Sequence, residues 1–101
     1  MTDPAESKPR PQAVPTVQID NARTVVTQWR FPPGGETGWH RHGMDYTVVP
    51  MTTGTLSIES SGGVVRSELV CGQSYHRGAG AEHNVINSND FEFIFVEIEY
   101  R

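Results

Sequence analysis

The stretch GGETGWHRHGMDYTVVPMTTG, Gly34 to Gly54, decides the reading of this 101-residue chain. Glycines bound it at both ends and recur at Gly38 and Gly43, and a β-branched run fills its second half. His40 and His42 stand one residue apart within it. Side chains alternate between faces along an extended chain, so these two imidazoles point the same way. A second glycine-rich turn, Gly78 to Gly80, leads into AEHNVIN and supplies His83. A third histidine arriving on a separate strand can complete one face of a metal's coordination shell. Imidazole suits zinc, copper, iron and nickel, and three ligands leave positions for water, substrate or oxygen.

The rest of the chain has the same extended character. Valine, isoleucine and threonine together number 25, whereas leucine occurs only at Leu56 and Leu69. β-Branched residues suit pleated strands and are poor helix formers. Strand-like runs cover Val14 to Asp20, Arg23 to Phe31, Gly38 to His42, Asp45 to Met51, Leu56 to Ser60, Val64 to Val70, Gln73 to Arg77, Glu82 to Asn87 and Phe91 to Tyr100. Glycine- and proline-rich turns separate them, among them Pro32-Pro33-Gly34-Gly35 and the hairpin signal Ser61-Gly62-Gly63. About eight or nine short strands at intervals near ten residues predict an all-β sandwich or barrel. Residues 1–13, rich in proline and charge, read as a disordered tail, and residues 14–101 as one small domain. In the last strand Phe93 and Phe95 share a face with Glu97 and Glu99, while Ile94, Val96 and Ile98 share the other. Apolar residues on both faces imply cover on both sides, a core on one and a partner subunit on the other.

Charge narrows the partners. The net charge is −4, Lys8 is the single lysine, and the arginines are scattered. No basic stripe for nucleic acid or an anionic membrane is present, and no apolar run is long enough to span a bilayer. Cys71 stands alone, so no intrachain disulfide forms, and its expected place is a buried site. A cytoplasmic location follows as the expectation.

Two motifs then carry a family resemblance. Gly34, His40, His42 and Gly54 match the spacing of the first cupin motif, and Gly72, Gly80, His83 and Asn87 that of the second, with Gly78 replacing a usual proline. The runs TGWHRHGMDYTVVPMTTG, SYHRGAGAEHNVIN and FEFIFVEIE look like small single-domain cupins labelled as β-alanine degradation proteins. The resemblance implies a small antiparallel barrel, or jelly roll, with a divalent transition metal near its mouth, and a homodimer formed through Val14 to Asp20.

One departure constrains the chemistry. The cupin glutamate ligand falls at Tyr46 or Thr47 here, and counting back from Gly54 selects Thr47. Asp45, the only nearby carboxylate, is one residue early and points to the opposite face unless a bulge near Gly43 restores it. The expected metal site is therefore His40, His42 and His83, with Asp45 the alternative fourth ligand. Three-histidine iron sites within the family resemble those of thiol dioxygenases and β-diketone-cleaving enzymes. Fe(II) is thus the favoured ion, and zinc, manganese or nickel suit the same donors.

Around this site Tyr46 and His76 are the candidate proton-handling residues, and Arg30 the candidate grip for a substrate carboxylate. Asn87 is read as fixing a turn or supporting the site through a hydrogen bond, Trp29 and Trp39 as packing or dimer contacts, and Arg41 as pairing with Asp45 or a glutamate. The function expected is a metal-dependent, dioxygenase-type enzyme acting on a small organic acid or carbonyl compound. A redox-neutral isomerase or lyase fits the same residues, and a non-catalytic module that binds or senses a small ligand is the competing class.

Overall fold

The branched, alternating runs form nine strands and no helix among the residues described, 9–101, in this computed structural model. They are β1 (Val14–Asp20), β2 (Thr24–Phe31), β3 (His40–Arg41), β4 (Asp45–Pro50), β5 (Gly54–Ser60), β6 (Gly63–Leu69), β7 (Tyr75–Arg77), β8 (Glu82–Asn87) and β9 (Phe93–Tyr100). Two antiparallel sheets result, one ordered β1-β2-β9-β4-β7 and the other β3-β8-β5-β6. Strands distant in sequence thus lie side by side, and β9 is sandwiched between β2 and β4 through full-length ladders.

Alternation decides which side chains face inward. Phe31 on β2, Val48 on β4, Leu56 on β5 and Phe93 and Phe95 on β9 are buried in one cluster between the sheets. Phe31 and Phe95 rings meet at 5.4 Å. On β9 the buried face runs Phe93, Phe95, Glu97, so the row that starts as core ends in a carboxylate.

The expected N-terminal tail divides. Residues 1–8 lie outside the described residues. Pro11 to Ala13, expected to be disordered, instead run alongside Glu36: Ala13 N–H donates to the Glu36 carbonyl at 2.8 Å and Glu36 N–H to the Pro11 carbonyl at 2.9 Å. Ala13 is buried in the core, which gives this segment the apolar anchor that its composition hides. No helix among the described residues is long and apolar enough to cross a membrane.

Candidate metal centre and its cavity

His40 and His83 are direct register partners across β3 and β8, and His42 follows on the same face as His40. Two backbone bonds fix His42 beyond the end of β3: its N–H donates to the Ala81 carbonyl at 2.8 Å, and its carbonyl accepts from Gly80 N–H at 2.7 Å. Gly38, at φ +86°, turns the chain into β3 in a backbone region that glycine enters without strain. Its N–H donates to Asn84 Oδ1 at 2.9 Å, and its carbonyl lies 2.9 Å from His40 Nδ1. A carbonyl only accepts, so His40 carries its proton on Nδ1 and, when neutral, leaves Nε2 as a free donor atom.

The three Nε2 atoms converge. His42 Nε2 lies 3.0 Å from that of His40 and 3.1 Å from that of His83. Both His42 and His83 have their pKa lowered to about 4, by burial first and then by neighbouring charge, from His40 and His83 on His42 and from His40 and Arg77 on His83. At neutral pH these two rings are therefore uncharged, the form that ligates metal. With metal–nitrogen bonds of about 2.1 Å, ligands on one octahedral face lie about 3.0 Å apart and tetrahedral ones about 3.4 Å. Both separations from His42 match neighbouring ligands of an octahedral shell, so this donor set fits a divalent transition metal.

The centre opens on a cavity of ≈ 420 Å³ between the sheets, walled by Trp29, Val48, Tyr75, Val85 and Phe95. Its volume is in the range of small-molecule sites. Tyr46 is buried there and stacks on His42, ring centroids 3.9 Å apart. Burial, then Tyr75 and Glu97, push its pKa up to about 12, so it stays protonated.

Sequence reasoning missed the acids of this cavity. Glu97 is 7% exposed, and it and Glu99 line the wall from β9. Their carboxylate oxygens and a His42 ring nitrogen all lie within 4.8 Å of one another. Burial chiefly, then the Glu99 charge, raise the Glu97 pKa to about 7. The signal was present in the alternation that puts Phe93, Phe95, Glu97 and Glu99 on one face. Arg77 was missed likewise: it lines the cavity mouth, its guanidinium 4.7 Å from the Tyr75 ring centroid.

Several sequence expectations are corrected. Asp45 is exposed and accepts Ala79 N–H at 2.7 Å, away from the histidines; no bulge turns it inward. His76 does not face the cavity. It sits on the outer face of β7, 3.3 Å from Thr47 Oγ1, which in turn meets the Tyr100 hydroxyl at 2.8 Å. Its neighbours Tyr75 and Arg77 take the inward positions. Arg30 also points outward and pairs with Glu92 at 3.3 Å, because Trp29 and Phe31 on either side face in. Arg41 makes no ion pair with Asp45 or a glutamate among the described residues. Cys71 is exposed, in the turn after β6. Asn87 does fix a turn: its Nδ2 donates to the carbonyls of Phe91 at 2.8 Å and Pro32 at 3.1 Å. Trp29 lines the cavity, and Trp39 is exposed.

No protein-family model matches the chain. A curated relative, the β-alanine degradation protein BauB of Pseudomonas aeruginosa, is 61% identical over 92 residues, 91% of this chain and 97% of the relative. A solved cupin domain from Bordetella pertussis Tohama I is 65% identical with a TM-score of 0.93, covering 94% of this chain and 99% of that one. A double-stranded β-helix protein from Klebsiella pneumoniae shares the fold at 24% identity and a TM-score of 0.73, covering 88% of this chain and 76% of its own. With two antiparallel sheets, both histidine motifs in place and relatives matched along nearly their whole length, the chain belongs to the cupin superfamily.

Proposed function

We propose that this cupin is a metal-dependent enzyme acting on a small organic acid or carbonyl compound, with His40, His42 and His83 as ligands and Fe(II) as the favoured ion. The convergence of three imidazole nitrogens on the wall of a cavity of small-molecule size carries the reading. Bound there, such an ion supplies Lewis acidity and, as Fe(II), access to oxygen chemistry; zinc, manganese and nickel suit the same donors. The chain's own part is spatial and electrostatic. The imidazoles occupy one face only, which leaves the cavity side free for a substrate. Val48, Val85 and Phe95 give the cavity apolar walls, which strengthen the charge interactions beside them. Tyr46, protonated through neutral pH, offers its hydroxyl as a donor.

A dioxygenase-type reaction is favoured by the open face. A redox-neutral isomerase or lyase is the second reading, and Glu97 favours it: a buried carboxyl with a pKa of about 7 can take up and release a proton at physiological pH. The relative's association with β-alanine degradation supports a small acid as the substrate class. A homodimer in the cytoplasm belongs to the same proposal. Strand β1 is an edge strand with every residue exposed, Val14, Val17 and Ile19 among them, as a strand that pairs with a second copy would be.

Oxygen consumption by the iron-loaded protein against β-diketones, thiols and hydroxy acids tests the reading. Uptake with one class, absent in His83→Ala, is expected. Conversion without oxygen uptake selects the redox-neutral chemistry. Failure of every class with iron, manganese, nickel and zinc refutes the enzyme and leaves a non-catalytic ligand-binding module.

A further inference from the structure

The cavity carries charges of both signs, held apart. On β9 Glu97 and Glu99 face inward; two strands away, on β7, Arg77 faces the same space. The register is direct: Glu99 pairs with Tyr46, and Tyr46 with Arg77, while Glu97 pairs with Val48, and Val48 with Tyr75. The Arg77 guanidinium leans over Tyr75, so it stands opposite both acids with β4 between them. Two strand spacings separate those backbones, about 9.6 Å. Arg77 makes no ion pair among the described residues; one guanidinium nitrogen donates to its neighbour's carbonyl, His76 O, at 3.0 Å. Its charge is nevertheless felt at Tyr46, Tyr75 and His83.

Two carboxylates turned into one cavity repel each other, and burying one of them without a cation is costly. An ordinary core would place apolar side chains at Glu97. A metal at the three imidazoles does not explain why Glu97 and Glu99 share their cavity with Arg77, which is itself exposed to solvent at the end of β7. A molecule with separated charges complements the two acids and the guanidinium together. Trp29 lines the cavity, an aromatic side chain of the kind that attracts an alkylammonium, and a guanidinium takes a carboxylate through two hydrogen bonds.

We infer that the cavity receives a small zwitterion, an amino acid whose ammonium lies against Glu97 and Glu99 and whose carboxylate lies against Arg77. This inference rests on the proposed small-acid substrate and names its class. With two acids on β9 and Arg77 two strands away on β7, a molecule carrying only one charge engages only one of the two groups.

The test is calorimetric titration of metal-free and zinc-loaded protein with glycine, β-alanine and 4-aminobutyrate, and with propionate and propylamine as single-charge controls. At least one amino acid is expected to bind tenfold or more tightly than either control. Arg77→Gln is expected to reduce that amino acid to the level of propylamine. Glu99→Gln and Glu97→Gln, separately and together, are expected to reduce it toward propionate, with zinc stoichiometry unchanged. Glu99 is only half-buried, so its variant reads the effect even where Glu97→Gln perturbs folding. Propionate binding as tightly as every amino acid overturns the inference, as does undiminished binding by the doubly substituted protein. Loss of zinc from the glutamine variants overturns it too, since the acids would then be metal ligands. Oxygen uptake or conversion of uncharged substrates without amino-acid binding sinks this inference alone. Amino-acid binding without any turnover sinks only the enzyme.

Discussion

Replacing Asn87 by alanine separates what holds the barrel from the proposed metal centre. Asn87 is 1% exposed, at the end of β8. Its amide nitrogen donates to Phe91 O at 2.8 Å and Pro32 O at 3.1 Å, with a longer contact to Phe31 O. Its oxygen accepts from Asn89 N–H at 3.0 Å and Asn89 Nδ2 at 2.7 Å. Asn89 in turn fills the space left by Gly54, where a Cβ would come within 2.9 Å of the Asn89 amide. One side chain therefore ties the turn after β2, the start of β9 and the start of β5. Four hydrogen bonds of good length at about 1 kcal/mol each give a loss of about 4 kcal/mol. Pro32 O keeps a second donor in Gly35 N–H at 2.8 Å, which trims this to about 3 kcal/mol. For a domain of this size, about 4–8 °C per kcal/mol gives a fall in Tm of about 12–24 °C. His83 lies on the same strand, about 13 Å away at strand rise. Thermal unfolding of Asn87→Ala without metal, alongside elemental analysis of the loaded protein at 20 °C, checks both halves. A fall below about 5 °C refutes the reasoning; loss of the metal at 20 °C from protein that is still folded refutes the separation.

The histidines predict the converse. His40→Ala and His83→Ala should abolish stoichiometric metal binding with little change in the Tm of the metal-free protein, while Asp45→Ala retains the metal; a metal-free Asp45→Ala would return that carboxylate to the site. The pH dependence of the metal-free protein combines two opposite windows. His42 and His83 have folded pKa values of about 4 against 6.5, so their effect costs no stability above pH 6.5 and progressively lowers it as pH falls toward 4. Glu97 has a folded pKa of about 7 against 4.5, so its stabilising effect is full below pH 4.5 and lost as pH rises to 7. Glu97→Gln should therefore match the parent Tm near pH 4.5 and exceed it near pH 8; a Tm difference independent of pH would show that Glu97 is not titrating against burial.

Much of this was legible because strand chemistry is local. β-Branched runs and glycine turns located all nine strands of the described residues, and the spacing of His40, His42 and His83 located the three-histidine cluster. What sequence alone obscured was which face of each strand is the inside. Arg30 and His76 were chosen for their residue type, although each lies between two inward residues, Trp29 and Phe31 or Tyr75 and Arg77, and parity turns it out. Cys71 follows the same logic of type over place: cysteine is usually buried, but a turn between β6 and β7 offers nothing to bury it against. The Pro11 to Ala13 pairing was hidden because its partner, Glu36, sits in a loop that carries no strand signal.

The glutamate missing from the first motif is where the two levels of reading meet. Tyr46, not Thr47, is the inward residue of β4, so the position that counting selected lies on the outside of the barrel. Tyr46 fills the space beside His42 with an aromatic face instead of an oxygen ligand. Its register partner on β9 is Glu99, and Glu97 follows two residues earlier on the same face. The cavity therefore does not lack carboxylate; it carries it one strand over, beyond the tyrosine. A carboxylate moved from the β4 ligand position to the neighbouring strand leaves the register of the motif, and it faces whatever enters the cavity. The imidazoles are left as the donors that the two motifs supply, and under the proposed function the acids face the substrate.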